Sequence, residues 1–202
     1  MKEINRVLNY WFGTSVKPLS KEEQNERWYQ STPAVDQEIR SQFDDLNKQA
    51  RGQLLDHWQD SARGYLALII LLDQMSRNMY RATANAFAQD NQALEICLRG
   101  IQLGYDKQLS LIERIFYYHP FEHSENIEHQ KLSVASFSHL LTEFTEPTDV
   151  QMIDNALFWA KEHLHIIDQF GRFPHRNDIL GRTSSSDELT YLKTANTFGQ
   201  NK

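Results

Sequence analysis

The stretch "ARGYLALIILLDQM", residues 62–75, decides the fold. It is apolar around most of a helical circumference, which predicts a central helix buried on every side. Its apolar core "YLALIILL", residues 65–72, is too short to cross a bilayer, because a spanning helix needs ~20 such residues. The helix ends on an acid, Asp73. A carboxylate at the end of a buried helix must be matched by a partner.

The flanking sequence is punctuated for helices throughout. Ile4, Val7, Leu8 and Trp11 form one apolar stripe with Gly13 as a stop. Ser20 with Glu23, Ser110 with Glu113, Thr148 with Gln151 and Ser185 with Glu188 read as capping boxes. Thr32-Pro33 opens a helix that Gly52 closes. The segment "LIERIFYY" is predicted to end before Pro120, and Ser124 to open the next helix. No alternating run is joined by a hairpin dipeptide. The expectation is an all-α chain of about nine or ten helices in one domain over residues 1–202, folded as stacked antiparallel hairpins.

Composition narrows the function classes. The net charge of −6 argues against a nucleic-acid surface. The N-terminal "MKEINRVLNYWFG" lacks the apolar core and cleavage site of a signal peptide. The single cysteine, Cys97, permits no internal disulfide and reads as a small core residue. These features predict a soluble, cytoplasmic protein with no membrane partner. The sequence carries no P-loop, dinucleotide glycine fingerprint or nucleophile elbow, so no cofactor is implied.

The central helix ends in "LLDQMSRNMYRA", residues 71–82, and the chain later repeats the pattern in "IIDQFGRFPHRN", residues 166–177. Asp73, Gln74, Arg77 and Arg81 recur as Asp168, Gln169, Arg172 and Arg176. Each Asp–Arg pair is four apart and is expected to face itself on a helix. Five of the twelve arginines lie at 77, 81, 172, 176 and 182, with no lysine nearby. Arginine without lysine suits bidentate recognition of carboxylate or phosphate. A set of helix-end salt bridges explains the same residues without a ligand.

A second cluster is "FEHSE", residues 121–125. With Ser124 as N-cap, His123 would stand at a helix N-terminus, a ready anion site, with Glu122 or Glu125 to orient it. An ordinary capped helix start accounts for it equally. Pro120 between His119 and His123 argues against a shared helical face, and His163 and His165 point apart. No metal site is expected.

The segments "VLNYWFG", "RWY", "ALIILLDQMSRNMYRATANAFAQD", "ERIFYYHPFEHSE" and "FGRFPHRNDILGR" resemble, in order and over nearly the whole chain, the bacterial domain-of-unknown-function family 924. The resemblance implies a tetratricopeptide-like right-handed superhelix and no particular reaction. The motif positions carried over are Asp73, Gln74, Arg77, Asn78, Arg81 and Asp90, then Glu113, Arg114, His123 and Glu125. In the last segment they are Gly171, Arg172, Pro174, His175, Arg176, Asn177, Gly181 and Arg182. Met75-Ser76 stands where the family has Phe-Pro. A superhelix has a concave binding face, so the motif regions are expected to converge there.

Three functions are expected from these residues. One is a site for a small anionic molecule or peptide carboxylate, built from Arg77, Arg81, His123, Glu125, Arg172, His175, Arg176 and Arg182. A second is an enzyme with His123 or His175 as general acid/base. The third is a scaffold whose arginines and acids only lock helix ends together.

Overall fold

The computed structural model describes residues 1–195 and 198. Among them the regular elements are helical, and the one β contact is an isolated bridge between Gly13 and Pro18. The α-helices are α1 (Lys2–Phe12), α2 (Lys21–Trp28), α3 (Pro33–Arg51), α4 (Ala62–Ile69), α5 (Met75–Met79), α6 (Asp90–Gln102), α7 (Leu111–Glu122), α8 (Ile127–Glu143), α9 (Pro147–Phe170) and α10 (Ser186–Tyr191).

Local sequence explains most boundaries. Ser20–Glu23 and Ser185–Glu188 form reciprocal caps, and the Glu113 carboxylate accepts the Ser110 N–H at 3.0 Å. Thr32 caps α3 with Pro33 in its first turn. Two boundaries differ from expectation. Glu146 precedes α9, and Pro147 supplies its first turn in place of a Thr148 box. Helix α7 runs through Pro120 to Glu122. Proline forfeits one backbone donor, and here the forfeited bond falls only in the last turn.

α4 and α5 form one rod interrupted by a π-helical turn, Ile70–Gln74. The Met75 N–H reaches back to the Ile70 carbonyl, five residues away. The Leu71 carbonyl is bonded by Asn47 Nδ2 at 2.7 Å and by the Ser76 hydroxyl at 3.3 Å. A π turn inserts a residue and rotates the helix beyond it; here it carries Asp73 and Gln74.

This rod is the centre of the main core. Tyr65 to Leu72 are all buried, within a cluster that includes Val7 and Trp11 of α1, Phe43 of α3, Cys97 of α6, Phe116 and Phe121 of α7 and Ala160 of α9. α6 crosses close to α7 because Gly100 has no side chain: a Cβ there would lie 1.8 Å from the Tyr117 hydroxyl. α8 packs extensively on α9. α9 ends at Gly171, whose φ of 67° is left-handed. The chain then turns inward, burying Phe173 and Arg176. No helix among the described residues is long and apolar enough to cross a membrane.

Candidate functional site

A cavity of about 580 Å³ opens between α2, α7, α9 and the segment after α9. Trp28, Phe87, Ile112, Ile115 and Trp159 give its lining apolar surface. The polar part of the wall is Gln74, Arg77, His119, Glu122, His123, His163, His175 and Arg176.

Asp73 lies directly behind that wall, with no solvent exposure. Its Oδ1 meets His123 Nδ1 at 2.7 Å and Arg77 Nη1 at 3.0 Å. Its Oδ2 accepts from Gln74 Nε2 at 2.5 Å, and Gln74 Nε2 also faces His119 Nδ1 at 3.2 Å. Asp90, from the first turn of α6, places Oδ2 3.0 Å from Arg77 Nη2 and 3.2 Å from Arg176 Nη1. Arg176 also donates to the His123 carbonyl at 3.1 Å and lies over the rings of Phe87 and Phe173. The guanidinium is thus held against two aromatic rings as well as at its edge.

Electrostatics reflect this packing. Burial raises the Asp73 carboxyl, but the charge of Arg77 and the hydrogen bond from His123 outweigh burial and hold it well below the usual carboxylate range. The four cavity histidines go the other way. Burial pushes His119 and His123 down to about 3, the latter helped by Arg77. Burial lowers His163 to about 4, and His175 to about 2 with the help of Arg176. All four are neutral imidazoles at neutral pH. Burial drives Glu122 well above its ordinary value and raises Asp90, and it lowers Arg176 to about 10. Glu122 Oε1 is occluded and has no hydrogen-bond partner among the described residues.

Sequence similarity and fold now place the chain. The family model described as "Bacterial protein of unknown function (DUF924)" matches residues 7–196. The chain belongs to this family. The structure of a protein of unknown function, ATU0120 from Agrobacterium tumefaciens, is similar at a TM-score of 0.79 and 31% identity, over 96% of this chain and 98% of that one. No curated protein matches.

The residues that the sequence singled out divide into two groups. Arg77, His123, His175 and Arg176 reach the cavity, with Asp73 and Asp90 behind them. Arg81, Glu125, Arg172 and Arg182 are not part of its lining. Arg81 pairs with Asp36 at 2.6 Å. Arg182 pairs with Glu125 at 2.7 Å, and Glu125 also accepts the Phe173 N–H at 2.8 Å. Arg172 pairs with Glu188 at 2.7 Å and borders a separate shallow concavity with Gln169 and Ser185.

The Asp-Gln-x-x-Arg echo is therefore not a structural repeat. Asp73 is buried in a π turn, whereas Asp168 is exposed in the last turn of α9. Gly171 ends that helix, so Arg172 leaves the face it would share with Asp168. Only Arg77 of the first copy and Arg176 of the second meet, on one oxygen of Asp90.

His123 is also corrected in place. It is the C-cap of α7, not the mouth of α8, which Asn126 caps. Because α7 continues through Pro120, His119 and His123 share a face after all, their ring centroids 5.9 Å apart. His119, His163 and Glu122 line the cavity although sequence reasoning gave the two histidines no role. A buried histidine at helical spacing from His123 was the available signal. Among the described residues no three His, Cys, Asp or Glu side chains are arranged to hold a metal ion.

Proposed function

We propose that the cavity is a binding site for a small organic molecule, met at its polar end by neutral histidines. The observation that carries this is the Asp73–His123 contact. An ionised carboxylate wholly inside an apolar core is costly, and an apolar side chain would serve the fold better. The cost is understandable if Asp73 serves to hold the His123 ring at the cavity wall. The volume lies within the ordinary range for ligand sites.

The anionic-ligand reading keeps partial support. Arg77 and Arg176 both line the cavity, but Asp73 and Asp90 already balance their charge. The scaffold reading is supported at Arg81–Asp36, Arg172–Glu188 and Arg182–Glu125, away from the cavity. The enzyme reading rests on the same dyad, since an imidazole oriented by a buried carboxylate is the geometry of a general base. Against it, burial leaves His123 weakly basic. A cavity walled by successive helices also suits the concave face of a tetratricopeptide-like superhelix.

Ligand-observed and ¹⁵N-resolved NMR with a small-fragment library tests the site. Binding fragments should shift the His123 and His163 resonances. A library whose hits shift only surface groups would refute the binding site. Solvent deuterium entering an activated C–H of a bound fragment with wild type and not with His123→Gln would favour the enzyme.

A further inference from the structure

The hydrogen bonds behind the cavity fix more than one ring. Asp73 is ionised, so both of its oxygens only accept. His123 must then donate from Nδ1, which leaves the Nε2 lone pair free. Gln74 must present its amide nitrogen to Asp73, as the 2.5 Å contact requires. The other hydrogen of that amide group faces His119 Nδ1, which therefore accepts, so the His119 proton sits on Nε2. One buried carboxylate thus sets two neighbouring histidines in opposite tautomers. Both rings line the cavity, and neither Nε2 has a hydrogen-bond partner among the described residues.

The wall therefore offers an acceptor at His123 and a donor at His119, side by side on one face of α7. Charge points the same way. Arg77 and Arg176 are balanced by Asp73 and Asp90, and burial drives the Glu122 carboxyl well above its ordinary value, toward the neutral acid. Nothing at this end calls for a ligand with net charge.

We propose that the cavity recognises a neutral planar group carrying adjacent N–H and C=O functions, a carboxamide, lactam or ureide, on an apolar body. The N–H meets His123 Nε2, the C=O meets the His119 Nε2–H, and the body lies against Trp28, Ile112 and Ile115. This rests on the binding reading above and names its ligand class.

The test uses the full chain and three probes with one apolar body: benzamide, acetophenone and benzoate. Long-range ¹⁵N NMR at neutral pH should first show His123 protonated on Nδ1 and His119 on Nε2; identical tautomers would overturn the proposal. Benzamide should then bind about tenfold more tightly than acetophenone, which lacks the donor, and should shift both histidines. Gln74→Met frees the His119 tautomer and should remove most of that preference while His123 stays in place. Benzoate as the tightest probe would overturn the neutral-amide class and leave a ligand site standing. Titrations in which no probe shifts His119 or His123 would remove both the class and the site.

Discussion

Acidification should destabilise this protein well above the pH at which ordinary carboxylates titrate. His119, His123, His163 and His175 are lowered in the folded chain to about 3, 3, 4 and 2, whereas unfolded histidine titrates near 6.5. The folded state therefore binds fewer protons than the unfolded one, and stability falls as pH drops below about 6.5. Between pH 7 and 5 each such histidine costs about 1.9 kcal/mol, so the four together cost roughly 7.5 kcal/mol. Glu122 and Asp90 oppose this. Both are raised, so the folded state takes up their protons first, and each returns at most about 2.7 kcal/mol over the same two units. Asp73 is lowered and loses its contribution only below about pH 4. The net loss from pH 7 to 5 is then roughly 2–7.5 kcal/mol, a large share of the ~5–15 kcal/mol that holds a typical domain together. Urea unfolding at pH 7, 6 and 5 measures it. His175→Phe isolates one histidine, because its neighbours are the Phe173 and Phe198 rings and its Nδ1 has no partner among the described residues. In that variant the pH 7-to-5 loss should shrink by about 1.9 kcal/mol. Stability that is flat or rising from pH 7 to 5, or a loss that His175→Phe leaves unchanged, would refute the reasoning.

Burial sets two further outcomes. Arg176→Ala leaves the buried Asp90 with Arg77 alone and removes a buried guanidinium packed on Phe87 and Phe173, and should cost about 3 kcal/mol, whereas Arg172→Ala removes a partly exposed pair with Glu188 and should cost only about 1 kcal/mol; equal losses in urea melts would contradict the division between cavity and surface arginines. Cys97 is fully buried, its thiol facing the Tyr117 carbonyl at 3.1 Å and pushed up by burial; an aromatic disulfide reagent should label it only as fast as the protein unfolds, and prompt labelling of native protein would show otherwise.

Helix content was legible because its signals are local. Ser20 with Glu23 and Thr32 with Pro33 act within one turn, and the fully apolar run at residues 65–72 needs no partner to be recognised as buried. Asp73 with Arg77 was legible for the same reason, since four residues of helix bring them together. The rest of the site depends on crossings that no local pattern encodes. His163 reaches His123 only because α9 packs beside α7, with ring centroids 6.3 Å apart. His119 was obscured by Pro120, whose rule as a helix stop weakens in a last turn. The Arg172 expectation failed because identical letters met different backbones, a π turn in one case and a left-handed glycine in the other.

That π turn links the fold to the chemistry. A regular helix through residues 70–74 would return the Leu71 carbonyl to the ladder and shift Asp73 by roughly 100° relative to the helix before it. Asn47, fully buried on α3, instead takes that carbonyl at 2.7 Å and also donates to the Ser76 hydroxyl at 3.0 Å. The position of Asp73, and through it the tautomers of His119 and His123, is thus held by a side chain from another helix. The resemblance noted in the sequence implies proline where Ser76 stands. Proline is tolerated where the regular ladder is already interrupted, and the Asn47–Leu71 bond needs nothing from residue 76. Both residues are therefore compatible with one backbone, and the widened turn, rather than the residue at 76, is what aims Asp73 at the cavity wall.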